Sequence, residues 1–187
     1  MDVTWGDERT RSFVTNVGLI TSKGPAGEDV MAAEWTHHVS YAPFLIAVAI
    51  GRGKATPENI LESKEFGVSI AAHDQNAMSS VAGSYSGHNV DKVALLKELG
   101  FEFYEGKKIK APMVKGAVMN AECKLLQVVD VGDHPIFVGE VVELSHLPKE
   151  PLAYHQAKYW RLGENLAQPP QEFLDKIAKL AEKHARR

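Results

Sequence analysis

The sequence predicts a mainly β fold, an antiparallel barrel carrying short peripheral helices and a C-terminal helix. Three observations carry this. Short apolar runs recur between clusters of glycine, proline and charged residues, the signature of many short strands. From Gly116 onward the pattern alternates with period two and resumes after an interruption at residues 130–135, which reads as one long antiparallel hairpin. Beyond Pro169-Pro170, apolar residues return at helical spacing.

Taken in order, residues 17–22 read as a strand, and residues 23–29, with two glycines around Pro25, as a turn. Residues 30–40 read as the returning strand, broken by Pro43. The apolar run 44–50 is too short for a helix of ordinary length and is rich in β-branched residues, so it reads as a buried strand. Thr56 fits an N-cap and Pro57 the first helical position after it. Residues 66–72 form another short strand. Asp74 caps a helix through Val81, closed by Gly83, and residues 90–99 form a helix stopped by Gly100. In the long hairpin, Ala117, Met119, Ala121, Cys123 and Leu125 share one face, while Asn120, Glu122 and Lys124 share the other. Residues 159–162 add a late strand. In the tail, Phe173, Ile177, Leu180, Ala181 and His184 form an apolar stripe, with acids first and bases last, as a helix dipole favours. The whole reads as a single domain, 1–187, with a core over 12–165 and a tail helix over 169–187.

The 187 residues include 44% apolar side chains, enough for a sizeable core, and a net charge of -3 that argues against a nucleic-acid partner. The one cysteine excludes an intrachain disulfide and suggests a reducing, cytoplasmic setting. The N-terminal stretch is acidic and does not read as a signal peptide. The longest apolar run is far short of the ~20 residues a membrane helix needs.

Four clusters bear on chemistry. The first is Gly51-Arg52-Gly53-Lys54-Ala55-Thr56-Pro57, where a buried strand runs into a helix. Helix N-termini present unpaired N–H groups and partial positive charge, and glycines let the backbone approach an anion, so this loop suits a phosphate. By itself it also fits a plain helix cap with solvated basic residues. The second is Glu34-Trp35-Thr36-His37-His38-Val39-Ser40. Adjacent strand residues face opposite ways, so His37 and His38 are not placed to chelate one metal, and the segment fits a rim strand equally well. The third, Gly132-Asp133-His134, offers an imidazole at a hairpin turn, for a charged substrate, for proton transfer, or simply for solvent. The fourth, residues 84–92, supplies Ser84, Ser86 and Lys92, which line a pocket or belong to a flexible loop. Cys123 reads as core rather than nucleophile, and no nucleophile elbow, Walker loop or dinucleotide fingerprint occurs.

In order along the chain, GEDVMAAEWTHHVSYAP, AIGRGKATPENILESKEFGVSIAA and GDHPIFVGEV resemble the flavin reductase-like family of FMN-binding split barrels, which includes flavoredoxin and archaeal ferric and flavin reductases. The resemblance spans residues 13–143. It implies a split β-barrel, a homodimer and FMN near the subunit interface. The residues matching the phosphate seat are Arg52, Gly53, Lys54, Thr56 and Asn59. Glu34, Trp35, Thr36 and His37 match the border of the isoalloxazine ring, and Ser69, Ile70, Ala71 and Ala72 the ring edge or ribityl chain. Ser84, Ser86 and Lys92 match a loop that reaches the cofactor, and His134 a histidine near the nicotinamide or flavin edge. The chain departs from the family at Met31-Ala32-Ala33-Glu34, where an acid replaces a small residue.

The implied activity is hydride transfer from NADH or NADPH to flavin and electron passage to a small-molecule or protein acceptor. Two alternatives stand beside it: a flavoredoxin-type carrier reduced by a protein partner, and a ligand-binding barrel with no redox role.

Overall fold

Gly24 and Gly27 enclose a two-residue turn, and Gly27 adopts a φ of +82°, which an L side chain rarely takes. That turn joins β2 (Gly18–Gly24) to β3 (Gly27–Ala33) as an antiparallel hairpin. The computed structural model describes residues 1–4 and 6–185. Trp5, within the acidic N-terminal stretch, and the last two residues of the tail expectation, Arg186 and Arg187, lie outside the described residues.

The expected single strand over 30–40 is two. The chain bends at Glu34 and Trp35, and β4 (Thr36–Tyr41) then pairs with β5 (Phe44–Ala49). Thr36 makes the bend: its hydroxyl donates to Ala33 O at 3.0 Å and its N–H to Glu34 O at 3.0 Å. A register shift between His38 and Ser40 also breaks strict alternation. The rings of the neighbours His37 and His38 lie 4.5 Å apart, and His37 Nδ1 is 2.9 Å from His38 O. Among the described residues no group of three or more possible ligands could hold a metal ion.

β6 (Glu65–Ile70), β9 (Met119–Val129) and β10 (Ile136–His146) complete a seven-stranded antiparallel sheet in the order β3-β2-β6-β9-β10-β5-β4. Its ladder leaves β3 and β4 as edges. The sheet is open rather than closed on itself, and Ile20, Ile46, Val48, Phe66, Val68, Ala121, Cys123 and Phe137, from its five inner strands, pack in a single cluster. Leu19 of β2 and Val30 of β3 face a second cluster with Met78, Ala82, Val93 and Leu96 from the helices. Both faces are covered there, which is why the strands read as continuous apolar runs. β1 (Val14–Asn16), β11 (Ala153–His155) and β12 (Lys158–Trp160) form a small sheet that includes the expected late strand, and β7 (Phe103–Glu105) pairs with β8 (Pro112–Val114).

The helices depart from expectation at their starts. α1 (Ala55–Ser63) begins one residue before Thr56, with Lys54 at the cap position; the Thr56 hydroxyl is taken by a buried carboxylate. Asp74 caps nothing. It lies in a 3-10 turn before α2 (Asn76–Ser84) and pairs with Lys149 at 2.8 Å, while Gly83 falls inside the helix. α3 (Lys92–Glu98) is capped by Asp91, whose carboxylate accepts from Ala94 N–H at 2.9 Å, so Val90 stands outside it. On β9 the polar face is not free: Glu122 is buried, accepting N–H bonds from Lys107, Lys108 and Ile109, and Asn120 accepts from Ser69. α4 (Gln171–Lys183) has the expected stripe but no buried residue, and His184 lies just past its end. No helix among the described residues is long and apolar enough to cross a membrane.

Candidate functional site

The strand β5 delivers the chain to the loop at residues 51–54, where the Ile50 N–H donates to Pro135 O at 3.1 Å and ties this loop to the β9–β10 turn. Gly53 has a φ of +72°, and nothing stands within 4 Å of where a Cβ would project. α1 starts with no side-chain cap. Its first-turn N–H groups, at Ala55, Thr56 and Glu58 around Pro57, therefore carry the uncompensated positive end of the helix. Arg52 stands at this end too. Its guanidinium pairs with Asp130 and approaches Gly132 O at 3.4 Å.

Beneath the first turn lies a buried charge network. Thr56 Oγ1 donates to Asp29 Oδ2 at 2.7 Å, and Lys92 Nζ lies 3.1 Å from Asp29 Oδ1. Lys92 also donates to Ala82 O at 3.4 Å. Asp29 is 1% and Lys92 2% exposed, which decides that neither is a solvated surface charge. Burial pushes the Lys92 ammonium below its ordinary range; Asp29 opposes the shift, and the positive charge of Lys54 adds to it. Asn59 is spent on structure. Its carbonyl accepts from Ala26 N–H and its amide donates to Ser22 Oγ and Gly27 O, pinning α1 to the β2–β3 turn.

The loop after α2 closes on the same place. A Cβ at Gly87 would come within 2.5 Å of Asp29 Oδ1 and 2.9 Å of Ala55 Cβ, so only glycine fits there. His88 stands 3.9 Å from Glu58 of α1. Ser84 ends α2 and Ser86 Oγ accepts from the His88 N–H. The fold thus brings Arg52, Lys54, Thr56, Ser86 and Lys92 to one end of α1.

A cleft of about 380 Å³ is lined by Thr15, Asn16, Glu34, Trp35, Thr36 and Ala49, among others, with His37 at its border. The Trp35 and His134 rings lie 4.7 Å apart, and His134 Nε2 stands 3.2 Å from where a Gly51 Cβ would project. His134 Nδ1 donates to Asp133 at 2.8 Å, which fixes the ring and turns Nε2 toward Gly51. That bond holds the Asp133 carboxyl below the usual range. Glu34 is solvent-exposed as a residue, but the cleft wall desolvates its carboxyl and pushes it up. The residues 69–72 are less accessible. Ser69, Ala71 and Ala72 are buried, Ser69 bonds Asn120, and the Ala72 N–H bonds the Gln75 side chain; only Ile70 is half-buried.

Two contributors escaped the sequence reading. Asp29 sat in a segment read as turn, and no local pattern distinguishes a buried carboxylate from a solvated one. Asp130 was visible as turn chemistry, but its pairing with Arg52, 78 positions away, depends on the hairpin register.

Comparison with known proteins gives the family. A family described as "Flavin reductase like domain" matches residues 10–163. A protein of Archaeoglobus fulgidus is 35% identical over 128 residues, 68% of this chain and 70% of that one. The NADH-dependent FAD reductase of Streptomyces globisporus is 26% identical over 153 residues, covering 81% of each chain. The solved structure of flavoredoxin from Desulfovibrio vulgaris superposes with a TM-score of 0.75 at 28% identity, over 90% of this chain and 97% of that one. The chain therefore belongs to the flavin reductase-like family and is a flavin reductase-like oxidoreductase.

Proposed function

We propose that this protein binds FMN in a split-barrel fold, takes hydride from NADH or NADPH, and passes electrons to a small-molecule or protein acceptor. The observation that carries the reading is the loop at residues 51–54, which joins an uncapped helix start bearing Arg52 and Lys54 to the Trp35–His134 pair beside Gly51. That spacing suits a ligand with a phosphate at one end and a flat ring at the other. When bound, the flavin supplies the hydride and electron chemistry. Arg52, Gly53, Lys54 and Thr56 hold the phosphate, through two cations and backbone N–H groups. Arg52 exchanges Asp130 for that anion. Glu34, Trp35, Thr36 and His37 border the ring. Residues 69–72 support it from inside the sheet, Ile70 being the accessible one. Ser84, Ser86 and Lys92 close the phosphate end, and Asn59 serves by anchoring α1. His134 Nε2, with Nδ1 held by Asp133, contacts the nicotinamide or moves a proton at the ring edge.

Names of relatives support the nicotinamide donor: the Rhodococcus relative, 27% identical, is an NADH-dependent flavin reductase. The flavin reductase component of a bacterial two-component tryptophan halogenase, 28% identical, supports delivery to a second protein. A homodimer in the cytoplasm is part of the same proposal. The likeness to flavoredoxin favours, as second reading, a carrier reduced by a protein partner.

The test is anaerobic mixing of the purified, FMN-loaded protein with NADH and NADPH. Bleaching of the flavin band is the expected result. A band that only a protein donor bleaches establishes the carrier, and failure to take up FMN leaves a non-redox barrel. In the double variant Arg52→Ala/Lys54→Ala, FMN affinity is expected to fall at least about tenfold while riboflavin affinity changes little, since each charge-assisted bond is worth about 1.5–3 kcal/mol. Equal loss for both ligands refutes the phosphate placement.

A further inference from the structure

Asp29 is a carboxylate with no obvious reason to be buried. It sits near the middle of the β2–β3 hairpin, 1% exposed, and touches neither solvent nor the cleft. An isolated buried charge is costly, so its partners explain it. Those partners come from two helices that both pack on β3: Thr56 from the first turn of α1, at 2.7 Å, and Lys92 from the first turn of α3, at 3.1 Å. A third segment closes on the same oxygen, because Gly87 leaves no room for a Cβ beside Asp29 Oδ1. One side chain thus fixes the helix start, the buried ammonium and the covering loop relative to one another.

The charge balance is uneven. Asp29 neutralises one cation, but Lys54 and Lys92 stand close enough to repel, and the uncapped end of α1 adds partial positive charge. Glu58 adds a negative charge in the same first turn, so Asp29 orders the cations here without by itself setting the net charge.

From this we infer that Asp29 is a positioning residue for the phosphate seat: through Thr56 and Lys92 it holds the α1 N–H groups and the ammonium in the arrangement that distinguishes a flavin bearing a terminal phosphate from one without it. The inference rests on the phosphate seat proposed above. Asp29 itself touches no ligand. Its removal leaves the ring cleft intact and misaligns only the anion end.

The experiment measures FMN and riboflavin dissociation constants by flavin fluorescence, with thermal melts alongside, for the parent protein and for Asp29→Asn, Thr56→Val, Thr56→Ser and Asp29→Asn/Lys92→Met. The parent is expected to prefer FMN by tenfold or more. In Asp29→Asn and Thr56→Val that preference shrinks about tenfold, the loss of one bond to a charged group, through weaker FMN binding alone. Thr56→Ser, which keeps the hydroxyl, retains the parent preference. The double variant removes both buried charges together, and its melt separates the cost of an unpaired Lys92 from the change in flavin preference read in Asp29→Asn. If FMN binding is unchanged, or both flavins weaken in parallel, Asp29 is only a structural residue and the inference fails while the seat stands. If the parent shows no preference for FMN, the seat itself is misplaced and the inference falls with it.

Discussion

Glu34 is exposed beside Trp35, and its surroundings give it a measurable signature. Its carboxyl is pushed above the ordinary 4.5 by desolvation against the cleft. A raised carboxyl favours the neutral form in the fold. Its contribution to stability is therefore intact below about pH 4.5 and is lost as pH rises through the higher, folded value. Glu34→Gln should melt with the parent at pH 4 and above the parent at pH 7, as differential scanning calorimetry at the two pH values would show. A gap that is the same at both values would remove the desolvation account. The sequence showed an acid beside Trp35, but not that the chain bends there and turns it toward a cleft. The bend depends on Thr36 reaching back to Ala33 and Glu34, which strand periodicity does not encode.

Among the elements, the long hairpin was the most legible, because its two strands are eleven residues each and alternate over enough of that length to show through two register shifts. Its inward face was read correctly at Ala121 and Cys123. Its outward face was not, because burial of Glu122 depends on the backbone of residues 107–109 folding over it from another part of the chain. Helix starts were misplaced for a related reason: Thr56 and Asp74 are good caps in isolation, but each found a stronger partner in the tertiary structure, Asp29 and Lys149. The hairpin also contains a packing constraint. A Cβ at Gly139 would meet Phe66 Cζ at 2.5 Å and Cys123 Cβ at 2.8 Å. Gly139→Ala should cost about 1–3 kcal/mol, a drop in melting temperature of roughly 2–12 °C. An unchanged melting temperature would mean the sheet relaxes freely at this register shift.

For the molecule as a whole, the mainly antiparallel β class was legible because the strands are short and numerous, while the sheet they form is not closed into the expected barrel. Their order in the sheet was not legible, since β6 pairs with both β2 and β9 across long intervals of sequence. The tail was legible as a helix, yet α4 buries no residue, and Phe173, Ile177 and Leu180 of its apolar stripe are exposed. A chain ended at Gly163 should therefore melt within about 2 °C of the parent, as expected when only surface residues are lost. A larger fall would show that α4 is packed in solution.

The ties between residues 50–52 and the β9–β10 turn have a thermodynamic consequence. Ile50 bonds Pro135, Arg52 pairs with Asp130, and Gly51 faces His134, so the two ends of the site share one short span of backbone. A ligand that draws Arg52 away from Asp130 changes the restraint on the turn that carries His134. Linkage is reciprocal, so whatever binds against His134 must alter affinity at the anion end by the same factor.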